Sequence, residues 1–390
     1  MISEFKSITA RIREFISRNS IGIDTGVSSD EFNSLALELY ALQFALNAPY
    51  HRICESRGIK PTSVQHWTQI PAVPAAAFKE FELTCLTPAE RTSVFYSSGT
   101  TEQRRSQHFH CAESLTLYEA SLSPWFQANV LVAVGQAYQP AGSPGLPARC
   151  SEQAANHWQL AILTPPAIAA PNSSLVHMFQ TICREHDIED TAFLGYVEPD
   201  GSWALDFKRT ESAIQTSIAA QRPLVLLGTA FNFVHLLDEL EAKTPSFKLT
   251  PGSIAMETGG YKGRSRELPK TELHALITRT LGVPRSHIIC EYGMSELSSQ
   301  AYDSADFRNT QHATRNYHFP PWARVQIISP ETGREVSDGE IGLVRIYDLA
   351  NAFSVLAVQT EDLAIRHGDG FELVGRATAA EARGCSLMTA

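Results

Sequence analysis

The chain has 390 residues, 43% of them apolar and 19% charged, and a net charge of −10. That length can bury a large core and predicts more than one lobe. The composition is that of an ordinary globular enzyme, and the acidic balance argues against nucleic acid or an anionic membrane surface as the main partner. No apolar run reaches the ~18 residues of a membrane span. The N-terminus carries Glu4, Lys6, Arg11 and Arg13 among its apolar residues and lacks a signal-peptide core, so a cytoplasmic protein is expected. Seven cysteines without a Cys-x-x-Cys pair are expected to be mostly reduced and buried.

In chain order, residues 1–65 read as a helical region. Ile8, Ile12, Phe15 and Ile16, then Phe32, Leu35, Leu39, Leu42 and Leu46, recur at helical spacing. Ile70-Pro-Ala-Val-Pro74 is extended, because proline breaks both periodicities. Phe78 and Lys79 follow, with Lys79 read as solvated. Val94-Phe95-Tyr96 ends a buried strand. A helix is expected over 114–128, a buried strand over 129–134, and a long Pro/Gly loop over 135–149. Then strands (192–196, 223–227) alternate with helices (near 173–186, 210–220 and 232–242), the pattern of an α/β sheet. Short β runs at 325–328, 342–347, 363–366 and 371–374 predict a smaller β-rich lobe. His108 and His110 share one side of a strand, but no second ligand pair stands at zinc spacing, so no metal site is expected there.

Chemistry gathers in five stretches. Ser97, Ser98, Gly99, Thr100 and Thr101 follow a strand with four hydroxyls, backbone N–H groups and a flexible Gly. Such a loop wraps a phosphate, and either Arg104 or Arg105 adds a forked cation. An ordinary polar turn is the competing reading, and the spacing is not that of a Walker loop. Thr229-Ala-Phe231-Asn232-Phe233 is a strand-to-helix turn of the kind that binds ligands in α/β sheets. Glu257-Thr-Gly259-Gly260-Tyr-Lys-Gly-Arg264 is a strand exit whose glycines admit a flat ring. Tyr292-Gly293-Met294-Ser295-Glu296 places a ring, a Gly and a carboxylate in one turn. Thr360-Glu-Asp362 presents a carboxylate, and Gly375-Arg376 closes the next strand. Singly, each also reads as a plain turn or cap.

In this order, Tyr96-Ser-Ser-Gly-Thr-Thr101, Tyr292-Gly-Met-Ser-Glu296, Thr360-Glu-Asp362 and Gly375-Arg376 resemble the core motifs of the adenylate-forming enzymes. Ile70-Pro-Ala-Val-Pro74, the Gly259-Gly260-Tyr-Lys262 loop and Arg383-Gly-Cys385-Ser-Leu narrow the resemblance to the acyl-protein synthetases of bacterial bioluminescence. The resemblance runs from about residue 65 to the end. It implies the α/β N-terminal core of that superfamily: an α/β core over 66–320, a β-rich lobe over 321–376 and a mobile tail over 377–390. It also implies ATP and Mg²⁺ as cofactors, a fatty or other carboxylic acid as substrate, and an acyl reductase as partner.

The implied roles are specific. Ser97 to Thr101 hold the ATP phosphates, and Glu296 binds Mg²⁺. Gly259, Gly260 and Tyr292 frame the adenine, Asp362 accepts the ribose hydroxyls, and Arg376 acts at the hinge. Phe231, Asn232 and Phe233 line the acyl pocket. Cys385 takes the acyl group as a thioester. There are two departures: Glu102-Gln-Arg-Arg105 replaces the usual Gly-x-Pro-Lys, and only fourteen residues, none a Lys, follow Arg376. The large lid domain of the bigger relatives is therefore expected to be absent. A CoA ligase of the phenylacetate type and a silent nucleotide- or acyl-binding subunit are the alternative readings.

Overall fold

The structure, a computed structural model, describes residues 2–20, 29–97, 104–132, 158–188, 192–243, 247–259, 268–304 and 315–377. Ser98, Gly99, Thr100, Thr101, Gly260 and Cys385 lie outside these residues.

The N-terminal helices α1 (Ile2–Asn19), α2 (Ser29–Leu46) and α3 (Ala48–Ser56) form as the periodicity predicts. Phe5, Ile8, Ile12, Phe15 and Ile16 bury one stripe of α1, and Phe32, Leu35, Leu39 and Tyr40 one stripe of α2. Fully burying each such side chain stabilises by roughly 1.5–3 kcal/mol. Asn47 caps α3 by accepting from the Tyr50 N–H at 3.2 Å. Gln43 reaches out of the helices: its Nε2 donates to the carbonyls of Asn351 and Ala352, and its Oε1 accepts from the Leu356 N–H at 2.8 Å. The helical region is thereby fastened to a loop more than three hundred residues away.

The next elements are β1 (Val73–Pro74), α4 (Ala77–Glu80), β2 (Ser93–Tyr96), β3 (Gln107–His110) and α5 (Ala112–Phe126). Strands β2 and β3 form a hairpin of their own, with Tyr96 opposite Gln107. Of the strand expected over 129–134, the described residues 129–132 are helical. Helix α5 runs on instead into a π-helical turn, Gln127–Leu131. The apolar alternation there is local. Phe126 and Val130, four apart, both bury against the sheet, and the Asn129 amide donates back to the Trp125 carbonyl at 2.9 Å. A wider turn after Pro124 reconciles the missing proline N–H with those contacts.

The rest of the chain runs β4 (Gln159–Ile162), α6 (Ser174–Glu185), β5 (Gly195–Val197), β6 (Trp203–Leu205), α7 (Phe207–Ala219), β7 (Leu224–Thr229), α8 (Ala230–Lys243), β8 (Ile254–Thr258), α9 (Lys270–Leu281) and β9 (Ile288–Tyr292). It continues through β10 (Ala301–Ser304), β11 (Asn316–His318), β12 (Ala323–Ile328), β13 (Ile341–Asp348), β14 (Ala357–His367) and β15 (Gly370–Arg376). The stretch 192–196 was expected to be a strand of the sheet. It makes one parallel bridge, Ile162 to Phe193, and then turns into the separate β5–β6 hairpin.

The main sheet has the order β12-β13-β14-β15-β11-β10-β9-β8-β7-β4, with β1 added parallel to β14. Strands β4, β7, β8 and β9 run parallel to one another, and from β9 through to β12 neighbouring strands are antiparallel. Thus the β-rich strands of 323–376 continue the hydrogen-bonded ladder of the α/β strands and do not form a sheet of their own. Burial explains the parallel part. On β7, Leu224 and Leu226 pack on one face with α7, α8 and α9, while Val225 and Leu227 pack on the other with α5 and α6. A strand apolar on both sides needs helices on both sides.

Candidate active site

Three strand exits meet at one edge of the sheet. Thr229 is paired with Thr258, and Thr258 with Glu291, so the ends of β7, β8 and β9 lie level. This is the carboxyl edge of the parallel strands, where open α/β sheets bind ligands. At the exit of β8, Gly259 takes φ +68, a left-handed conformation that disfavours a side chain. At the exit of β9, a Cβ on Gly293 would run into Glu291 Oε1. Burial pushes the Glu291 carboxyl up to about 7, and a hydrogen bond from the Thr258 hydroxyl acts against that rise.

The turn Tyr292 to Glu296 is gripped from several directions. The Tyr292 hydroxyl donates to Asp362 Oδ2 at 2.8 Å. Its ring lies edge-on to Phe371, Phe319 and Tyr317. Met294 packs against the core. The Ser295 carbonyl accepts from His108 Nδ1 at 2.8 Å, which ties the turn to β3. The Ser295 hydroxyl donates to Glu296 Oε2 at 3.0 Å, and the Glu296 carbonyl accepts from the Asn351 amide at 3.0 Å. Just beyond, Asp348 accepts from the N–H groups of Ser298 and Ser299 and from the Ser299 hydroxyl.

Asp362 stands opposite Arg376 in the β14–β15 ladder, with its Oδ1 3.4 Å from Arg376 Nε. The carboxylate keeps capacity for further donors, since each oxygen accepts more than one hydrogen bond. Arg376 is largely exposed. After it, the Ala377 N–H still donates to the Glu361 carbonyl at 2.9 Å.

The described ends of the segment between β2 and β3 are tied together. The Ser97 N–H donates to the Ser106 carbonyl, and the Ser97 hydroxyl accepts from the Ser106 N–H at 3.0 Å. Both arginines are exposed. Arg104 lies 3.5 Å from Glu80, whereas Arg105 has no acidic partner among the described residues.

The three residues assigned to an acyl pocket differ in what their side chains do. Asn232 Oδ1 accepts from the Thr229 N–H and hydroxyl, a capping arrangement at the start of α8. Phe233 is packed into the core between α8 and its neighbours. Only Phe231 keeps partial exposure, with its ring on His235.

The sequence weighs His108 only as a metal ligand and gives no role to Asp348 or Asn351; His108 and Asn351 hold the Tyr292–Glu296 turn, and Asp348 holds Ser298 and Ser299 just after it. The available signal was weak: a polar pair, Asp348 and Asn351, directly after a long apolar strand. The carboxylate of Glu296 is buried beside a hydroxyl, and such a hard oxygen donor suits Mg²⁺.

Comparison with known proteins agrees with this geometry. The family model for acyl-protein synthetase, LuxE, matches residues 184–390. The long-chain-fatty-acid–luciferin-component ligase of Aliivibrio fischeri is 22% identical over 370 residues, covering 92% of this chain and 87% of that protein. Among solved structures, 2-hydroxyisobutyryl-CoA ligase in the postadenylation state superposes with a TM-score of 0.58 at 12% identity, covering 90% of this chain and 68% of that one. Its open conformation gives 0.59 at 12% identity, with coverage of 89% and 75%. The fold is thus that of the adenylate-forming ligases. With more than half of its length matched by the family model, the chain belongs to the LuxE acyl-protein synthetase family.

Proposed function

We propose that this protein activates a carboxylic acid, of the fatty-acid class, with ATP and then carries the acyl group on Cys385. A carboxylate is a poor electrophile. Its oxygen attacks the α-phosphorus of ATP and expels pyrophosphate, leaving an acyl-adenylate. A thiolate then attacks the acyl carbon and expels AMP, leaving a thioester. For the first step the protein supplies position and charge rather than covalent chemistry.

The observation that carries this reading is the contact chain His108–Ser295, Tyr292–Asp362 and Asp362–Arg376, which joins the turn bearing Glu296 to Asp362 on β14 and Arg376 on β15. In this reading Asp362 accepts the ribose hydroxyls, and Gly259, Gly260 and Tyr292 border the adenine. Glu296 holds Mg²⁺, which when bound neutralises phosphate charge. The loop from Ser97 to Thr101 surrounds the phosphates, with Arg105 as its cation because Arg104 faces Glu80. The acyl chain runs past Phe231. The loaded chain then meets a partner such as an acyl reductase, a role supported by the relative that ligates a luciferin component.

Incubation with radiolabelled long-chain acid and ATP, followed by a denaturing gel, tests the scheme. Label on the protein, removed by hydroxylamine, is expected. Label on added CoA alone would assign a CoA ligase, and no ATP consumption would assign a binding subunit.

A further inference from the structure

We propose that Glu257, His274 and Cys290 form a zinc-binding site, separate from the Mg²⁺ position at Glu296, that clips β8, β9 and the start of α9 together. The three donor atoms already face one another. Cys290 Sγ lies 2.9 Å from Glu257 Oε1 and 3.5 Å from His274 Nε2. His274 Nε2 lies 3.5 Å from that same oxygen. A point just off the plane of that triangle lies about 2.0 Å from the oxygen and the nitrogen and about 2.3 Å from the sulfur, the distances at which zinc holds those ligands. Thiolate, imidazole and carboxylate together select zinc over the hard cations Mg²⁺ and Ca²⁺.

Burial points the same way. All three residues are buried, and Glu257 Oε2 is a buried oxygen with no hydrogen-bond partner. A buried oxygen left unpaired is costly, and a metal or a metal-bound water removes that cost.

Two cations border the cluster and shape the proposal. Lys270 Nζ lies 3.2 Å from Glu257 Oε1 and 2.5 Å from the Tyr317 hydroxyl. Arg315 Nη1 lies 3.7 Å from Cys290 Sγ and 2.9 Å from Asp303 Oδ2. Asp303 Oδ1 in turn accepts from the Cys290 N–H. Metal binding is therefore an exchange. Without zinc, Lys270 neutralises Glu257, and the Cys290 thiol donates to Glu257 Oε1. On binding, the thiol gives its proton to solvent, sulfur and carboxylate bond to zinc, and Lys270 swings outward. Lys270 can do so because its side chain is 46% exposed, whereas Glu257 is fully buried. Arg315 and Asp303 stay as the outer partners that orient the sulfur. The gain is rigidity where it matters. Gly259 is two residues beyond Glu257, and Tyr292 two beyond Cys290, so both site-bearing exits are fixed by the clip.

Cobalt(II) titration of the full-length protein tests this, with zinc as competitor. One equivalent of cobalt should give a thiolate-to-metal charge-transfer band that zinc abolishes. Cys290→Ser should lose the band, and Cys385→Ser should keep it. Lys270→Gln should tighten cobalt binding by about tenfold, because a competing charge is removed. That gain of affinity requires a folded protein, so it decides the matter even if Cys290→Ser proves unstable. Absence of the band in the wild-type protein, its survival in folded Cys290→Ser, or unchanged affinity in Lys270→Gln would overturn the assignment.

Discussion

The Tyr292 hydroxyl donates to Asp362 Oδ2 at 2.8 Å across seventy residues of chain. It joins the turn after β9 to the carboxylate on β14, and Asp362 Oδ1 in turn faces Arg376. The hydrogen bond aims the carboxylate, so the two residues should act together on nucleotide binding. Asp362→Ala should raise the KM for ATP about ten- to a hundredfold, since a hydrogen bond to a charged group contributes roughly 1.5–3 kcal/mol. Tyr292→Phe should raise it by a smaller factor, with kcat little changed. Steady-state kinetics at saturating acid measure both, and an unchanged KM in Asp362→Ala would remove that residue from the site.

Glu296→Gln should abolish ATP–pyrophosphate exchange while leaving the circular dichroism spectrum intact. The amide preserves shape and the Ser295 contact but loses the charge that suits Mg²⁺. Exchange at the wild-type rate would mean that other groups hold the metal.

Cys385→Ser should separate the two half-reactions. Pyrophosphate exchange should survive and stable acyl label on the protein should vanish. Nine residue steps from Arg376 extend at most about 30 Å, far enough to return to a site beside β15. Persistent label would assign another cysteine, and lost exchange would place the tail in the first step.

His108 predicts an acid limit. It is buried, with its pKa lowered to about 4 by desolvation, although its bond to the Ser295 carbonyl acts the other way. The unfolded chain takes up a proton near pH 6.5 while the folded one does not, so this group's contribution falls as pH drops from about 6.5 to 4. The loss amounts to about 3 kcal/mol. His108→Asn keeps a donor for the carbonyl and cannot titrate. Its urea midpoint should therefore fall less over that range than the wild-type midpoint.

The motifs were legible because each is contiguous. Glu296 sits four residues from Tyr292, and hydroxyls crowd 97–101 next to a strand. Their chemistry survives any packing. Asp348 and Asn351 were not legible, since an acid and an amide after a strand look like any turn. Their value lies in reaching Ser298, Ser299 and the Glu296 carbonyl, about fifty residues away. The same holds for Phe231, Asn232 and Phe233, whose sequence treats three neighbours alike. The structure divides them into a partly exposed ring, a helix cap and a core residue.

From the sequence alone came the helices wherever periodicity ran over several turns, as in α1 and α2, because hydrophobic spacing directly encodes which side faces a core, and β7 came from its short continuous apolar run. Only the tertiary structure decided the π-helical turn at 127–131, where short alternation is ambiguous and burial of Phe126 and Val130 outweighs it. It also decided that the strands of 323–376 extend the α/β sheet, because strand pairing is a long-range choice of edge and register. And it alone brought Glu257, His274 and Cys290 to within 3.5 Å of one another, from positions whose spacing in the chain matches no ligand motif.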